Sequence, residues 1–123
     1  LKSILANGKT IDDHIIIIEK TEAESLDELK NLGDLLLGSL KSGIGVLGAD
    51  SEKPMIVIIV TKDLIESGIK ANDLAKEIGG LMGGGGGGKP HLATAGGTSS
   101  QEFINAMDQS FQIIKEEIKR KVS

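Results

Sequence analysis

Six consecutive glycines, Gly83 to Gly88, are followed by Lys89, Pro90 and His91. Glycine amides carry no side-chain cover, and successive amides can close around an anion. A lysine beside them supplies a point charge suited to phosphate. Gly84, Gly85, Gly86, Gly87, Gly88 and Lys89 are therefore candidates for contact with a phosphate or a nucleic-acid backbone. His91 could hydrogen-bond the same ligand or cap the loop. Lys62 joins them because it follows an apolar run, in a loop expected over Thr61–Ile69, where ligand contacts often lie. The competing reading is a tight turn or close packing point with no ligand, because glycine also lets another backbone approach.

Other chemistries fit poorly. Any glycine run satisfies a dinucleotide fingerprint, but that motif needs a strand before its loop, and here the pattern predicts a helix. A P-loop needs Ser or Thr after its lysine, and Pro90 stands there. Two histidines without cysteine make no credible metal site. The spacing of the Ser, His and Asp residues suggests no nucleophile triad. Asp63 and Asp73 read as cap or turn residues, and His14 as a strand-end residue.

These residues need elements to position them. Leu1–Ala6 reads as the tail of a helix, and Asn7-Gly8 as a turn. His14–Glu19 is a β-branched, apolar strand. Ser25 and Glu28 form a capping box ahead of a helix carrying Leu29, Leu32, Leu36 and Leu40, with Gly43 as its stop. Gly45–Ala49 and Met55–Val60 read as a hairpin, because no crossover helix fits between them. Ala71–Met82 is a helix with Leu74, Ile78 and Leu81 on one face. Leu92–Ala95 is a short strand. Ser99 and Glu102 cap a last helix running to Val122, with Phe103, Met107, Phe111, Ile114, Ile118 and Val122 buried. The order is approximately β-α-β-β-α-β-α, an α/β domain with a single mixed sheet and a Gly-rich loop after the penultimate helix. Residues 14–123 form this domain, and residues 1–13 are the end of an upstream linker or helix. Leu1 is not an initiator Met, which suggests a fragment of a longer protein.

At 123 residues the chain can bury its own core. Ten of its 17 glycines fall between Gly79 and Gly97, so the excess is local. The net charge is −4, and all of the negative excess lies in residues 1–61. Lys89 is the only formal charge between Glu77 and Glu102. A non-specific polyanion binder is normally basic, so RNA contact here must be local and shape-based. With Phe103 and Phe111 as the only aromatics, base-stacking platforms are disfavoured. The absence of cysteine is compatible with a cytoplasmic protein, and no apolar run is long enough for a membrane helix.

The string Gly83-Gly84-x-Gly86-Gly87-Gly88-Lys89-Pro90-x-Leu92-Ala93-x-Ala95-Gly96-Gly97 resembles the C-terminal domain of alanyl-tRNA synthetases, within the DHH-associated domain family. Gly85 is a mild departure from that pattern. The likeness extends over most of the chain after Ser25, including Val60-Thr61-Lys62-Asp63-Leu64 and Lys70-Ala71. The resemblance implies a non-catalytic appendage that holds the outer corner of tRNA, so that aminoacylation and editing act on one bound alanine tRNA. It implies no cofactor in this fragment, and ATP, magnesium and zinc in the parent ligase. Implied partners are tRNA, the other synthetase domains and, through upstream helices, a second copy. No membrane is involved.

Two other classes compete: the substrate-binding domain of a DHH phosphoesterase, and a plain packing or dimerisation module. On the tRNA reading, Lys89→Ala weakens binding and its salt dependence. Gly86→Val blocks backbone approach while leaving the fold intact.

Overall fold

The computed structural model describes residues 2–122. Its elements run α1 (Lys2–Ala6), β1 (Lys9–Ile11), β2 (His14–Thr21), α2 (Leu26–Ser39), β3 (Gly43–Ala49) and β4 (Met55–Val60). They continue with α3 (Lys62–Glu66), α4 (Ala71–Leu81), β5 (Gly86–Gly88), β6 (Leu92–Gly96) and α5 (Ser100–Lys121). The six strands form one mixed sheet in the order β1-β2-β3-β4-β6-β5. Only β2 and β3 pair in parallel, with α2 as their crossover. The expected α/β single-sheet domain is what forms.

Side-chain alternation along the strands sends two sets of apolar residues to opposite faces. Ile17, Leu47, Val57 and Ile59 meet Leu29, Leu36 and Leu40 of α2 and its C-cap. Ile16, Ile44, Val46, Ile56 and Ile58 meet Leu74 and Ile78 of α4 and Phe103 and Ile114 of α5. Each fully buried side chain of this size contributes about 1.5–3 kcal/mol. Small residues set how closely the layers approach. A Cβ on Gly33 of α2 would lie 2.8 Å from Val57, and one on Gly48 would lie 2.7 Å from the Phe103 ring.

The capping serines are where they were expected. Ser25 Oγ accepts from the Glu28 amide at 3.1 Å, and Ser99 Oγ accepts from the Glu102 amide at 3.3 Å. Neither reciprocal half of the box forms as drawn. The Glu28 carboxylate accepts from the Glu24 amide, and the Glu102 carboxylate accepts from the Thr98 hydroxyl.

Several local expectations give way to tertiary structure. Gly43 does not stop α2, which ends at Ser39 with Leu40 as its C-cap. Gly43 instead opens β3, where a Cβ would sit 2.1 Å from the Ile15 carbonyl oxygen. Thr61–Ile69 is not all loop, because α3 occupies Lys62–Glu66. β1 adds a strand the sequence pattern did not reveal. On α4, Leu81 is 37% exposed and its neighbour Met82 is buried instead. The helical stripe of α5 is buried at Phe103, Ile114 and Ile118 and only half-buried at Met107 and Phe111. The Leu1–Ala6 helix is present over Lys2–Ala6, and Leu1 lies outside the described residues.

Candidate nucleic-acid interface

The glycine run is not wholly the loop expected. Gly86–Gly88 form β5, the outermost strand, and pair antiparallel with β6, Gly87 opposite Thr94. An extended strand alternates its amides, so the run does not close into one anion-holding concavity. The Gly85 carbonyl accepts from Gly96 and the Lys89 amide donates to Leu92, so Gly85, Gly87 and Lys89 face β6. The alternation leaves the Gly86 amide on the free edge of the sheet. The Gly84 amide is already bonded to the Gly79 carbonyl at 3.0 Å.

The two faces of this run differ. A Cβ on Gly86 would lie 2.3 Å from the Ala75 carbonyl oxygen of α4, and one on Gly84 would lie 2.1 Å from the Gly96 oxygen. From the helix side, a Cβ on Gly79 would lie 2.8 Å from the Gly85 carbonyl. Glycine at these positions is therefore required by packing. Gly86→Val cannot leave the fold intact, because its side chain would enter α4 rather than a ligand site. Gly85 and Gly87, in contrast, have open space where a Cβ would stand. They share the α2 side of the sheet with Thr94 and Leu92, while Ala93 and Ala95 are buried on the α4 side.

The turn after β5 is pinned from three directions. Lys89 donates its amide to Leu92 at 3.0 Å. The Pro90 carbonyl accepts from the Ala71 amide at 2.8 Å, and the His91 carbonyl accepts from the Val60 amide at 3.1 Å. Gly88 has φ +145°, in the region that favours glycine. The exposed side chains of Lys89 and His91 thus project from a fixed backbone.

His91 links two depressions. One, of about 360 Å³, lies between α2 and the hairpin and is lined by Lys30, Asp34, Gly87, Gly88, Lys89 and Thr94 with His91. The other, of about 650 Å³, contains Lys62 and Lys41 over an apolar floor of Leu37, Leu40 and Ile65. Lys62 is the first residue of α3, not a loop residue. The structure therefore brings Lys62, Lys89, His91 and Gly87 to one side of the molecule. Gly86 faces the opposite side, toward α4. A third depression, of about 360 Å³, continues from Gly87 and Thr94 past Gly85 to Leu26 and Lys53.

Behind Lys62 lies a polar chain that sequence spacing did not suggest. Ser42 donates its hydroxyl to Asp63. Thr61 Oγ1 donates to Asp63 at 2.6 Å and accepts from the Gly43 amide at 3.0 Å. His14 Nδ1 lies 2.7 Å from Ser42 Oγ. Because the Ser42 proton goes to the carboxylate, His14 Nδ1 is the donor in that contact. This order is the reverse of a nucleophile triad, in which the histidine accepts from the serine. The cluster holds the start of α3 in place. Burial raises the Asp63 pKa, but the bonds from Ser42, Thr61 and the amides of Leu64 and Asp63 outweigh it and hold it below 3.8. Among the described residues no group of His, Cys, Asp or Glu could hold a metal ion, and no helix is long and apolar enough to cross a membrane.

Sequence reasoning missed Lys30, Lys41 and Lys53. Their local signal is that of ordinary surface lysines; the fold brings Lys30 into one depression with Lys89, and Lys41 and Lys53 into the two that adjoin it.

The DHHA1 domain model matches residues 13–119. The chain is 36% identical over 120 residues to an alanine–tRNA ligase of Desulforamulus reducens, covering 97% of this chain and 14% of that protein. It is 35% identical over 112 residues to the alanine–tRNA ligase of Alkaliphilus oremlandii, covering 90% and 13%. Among solved structures, the C-Ala domain of Aquifex aeolicus alanyl-tRNA synthetase superposes with a TM-score of 0.76 at 28% identity, covering 90% of this chain and 96% of that one. An exopolyphosphatase-related protein of Bacteroides fragilis shares the fold, with a TM-score of 0.55 at 19% identity over 96% of this chain and 34% of that one. The chain thus spans about one seventh of the length of these curated relatives.

Proposed function

Because this chain belongs to the DHHA1 domain family, we propose that it is a non-catalytic tRNA-binding domain of an alanine–tRNA ligase. In this reading it holds the outer corner of alanine tRNA, so that aminoacylation and editing act on one bound molecule. The parent ligase uses ATP, magnesium and zinc in its other domains, and this domain needs no cofactor. The parent is cytoplasmic, and helices ahead of the domain pair two copies.

The observation that carries the reading is the β5–β6 hairpin. Its backbone is fixed at three points, its outward glycines leave the sheet face bare, and Lys89 and His91 project from its turn. At Gly85 and Gly87 a phosphodiester can approach the backbone itself, beside the Thr94 side chain, and Lys89 can neutralise a phosphate. Lys62 extends the charge toward α3. The likeness to the ligases over nearly the whole chain favours this reading over the phosphoesterase alternative, for which only the fold speaks.

The test is binding of alanine tRNA and of an unrelated tRNA across a salt series. Recognition of the shared corner shape gives similar affinities for both. Lys89→Ala weakens binding and lowers the slope of log affinity against log salt by about 0.7–0.9, the share of one phosphate. An unchanged affinity and slope would remove Lys89 from the interface.

A further inference from the structure

We propose that α2 is the second wall of the RNA site. A phosphodiester backbone held at the hairpin runs along the trough with its phosphates against Lys53, Lys30 and Lys41, and Asp34 limits how tightly it is held. This rests on the reading of the hairpin as RNA-binding.

Continuity is the first argument. Gly87 and Thr94 line both the depression holding Lys53 and the one holding Lys30. His91 lines both the latter and the one holding Lys41. The three are therefore one trough, with α2 along one side and the β3–β4 turn, the hairpin and α3 in succession along the other. Its floor at Gly85 and Gly87 is bare, so a sugar can lie against the backbone. The 14 residues of α2 extend about 21 Å at 1.5 Å per residue.

Charge is the second argument. Lys30, Lys41, Lys53, Lys62 and Lys89 line the trough against Asp34, Asp63 and Glu66, giving it a positive balance on a chain of net charge −4. Asp63 already accepts from Ser42 and Thr61. None of the five lysines has a carboxylate within 4.0 Å among the described residues, whereas Lys20 pairs with Asp50 and Arg120 with Glu117. A row of unneutralised lysines facing a bare backbone is what an extended polyanion requires. Asp34, one helical turn from Lys30, opposes it.

The experiment measures alanine-tRNA binding by the 123-residue chain over a salt series. The variants are Lys30→Ala, Lys41→Ala, Lys89→Ala, Asp34→Asn and Asp108→Asn. Asp108 lies beside Met107 on the other side of the sheet and controls for net charge. Circular dichroism melts check that each variant is folded. Lys30→Ala and Lys41→Ala should each weaken binding by roughly three- to tenfold at low salt and lower the slope by about 0.7–0.9. Asp34→Asn should tighten it about two- to threefold, while Asp108→Asn leaves it unchanged. If both α2-side lysine variants bind like the parent while Lys89→Ala binds weakly, the α2 wall is refuted and the hairpin reading stands. Equal effects of Asp34→Asn and Asp108→Asn refute a backbone passing beside Asp34. Failure of the parent chain to bind tRNA overturns the hairpin reading and this proposal together.

Discussion

Adjacent glycines in β5 should respond oppositely to the same methyl group. At Gly86 a Cβ would meet the Ala75 carbonyl oxygen at 2.3 Å, its carbon at 2.7 Å and the Thr94 oxygen at 3.0 Å. All three are backbone atoms, which cannot rotate away. Gly86→Ala must lift β5 from α4 or bend α4, an overpacking cost of about 2–3 kcal/mol. For a domain of this size, roughly 4 °C per kcal/mol lowers the melting temperature by about 10 °C. At Gly87 nothing lies within 4 Å, and the backbone is not in the left-handed region. Gly87→Ala should leave stability unchanged or raise it by up to about 1 kcal/mol, by restricting the unfolded chain. Its methyl group projects onto the proposed RNA-facing shelf and should weaken tRNA binding. Urea and thermal melts measure the first effect, and tRNA titration of the folded variants measures the second. Equal melting of Gly86→Ala and the parent would refute the packing argument. A loss of stability in Gly87→Ala as large as that in Gly86→Ala would refute the assignment of the two faces.

Other positions make separate predictions. Gly43→Ala should cost about 3 kcal/mol or more in urea melts, because its methyl group collides with the Ile15 carbonyl inside the β2–β3 ladder. Ser99→Ala should cost about 1 kcal/mol by removing the α5 cap, with the loss visible in the same assay. The lowered pKa of Asp63 means that its stabilisation is present above the unfolded value of 3.8 and is lost as pH falls through the folded value. Asp63→Asn should therefore be less stable than the parent at pH 7, and the difference should shrink in melts taken below about pH 4. A constant difference down to pH 2.5 would contradict the carboxylate's role.

Local signals in the sequence carried much of the fold. Ser25 and Ser99 mark helix starts because a hydroxyl three residues ahead of a free amide is a local interaction. The apolar runs of β2 and β4 and the leucine spacing of α2 marked their elements through periods that need no partner. The Gly83–Gly97 string identified the family, which the match over residues 13–119 bears out. The short gap between β3 and β4 also required a hairpin. Tertiary structure decided what is set between distant segments. Gly86–Gly88 have no side chains to show a pattern, so only the ladder to β6 and the surface of α4 make them a strand. Gly43 reads locally as a helix stop, but the close passage of β2 claims it. Lys30, Lys41 and Lys53 are ordinary surface charges in sequence, separated from Lys89 by at least 36 positions. Lys30 shares a depression with it, and Lys41 and Lys53 line the adjoining ones, because the strand order places the hairpin beside β4. Local hydrogen bonding and periodicity are written within a few residues, whereas strand order and helix approach depend on the whole chain closing on itself.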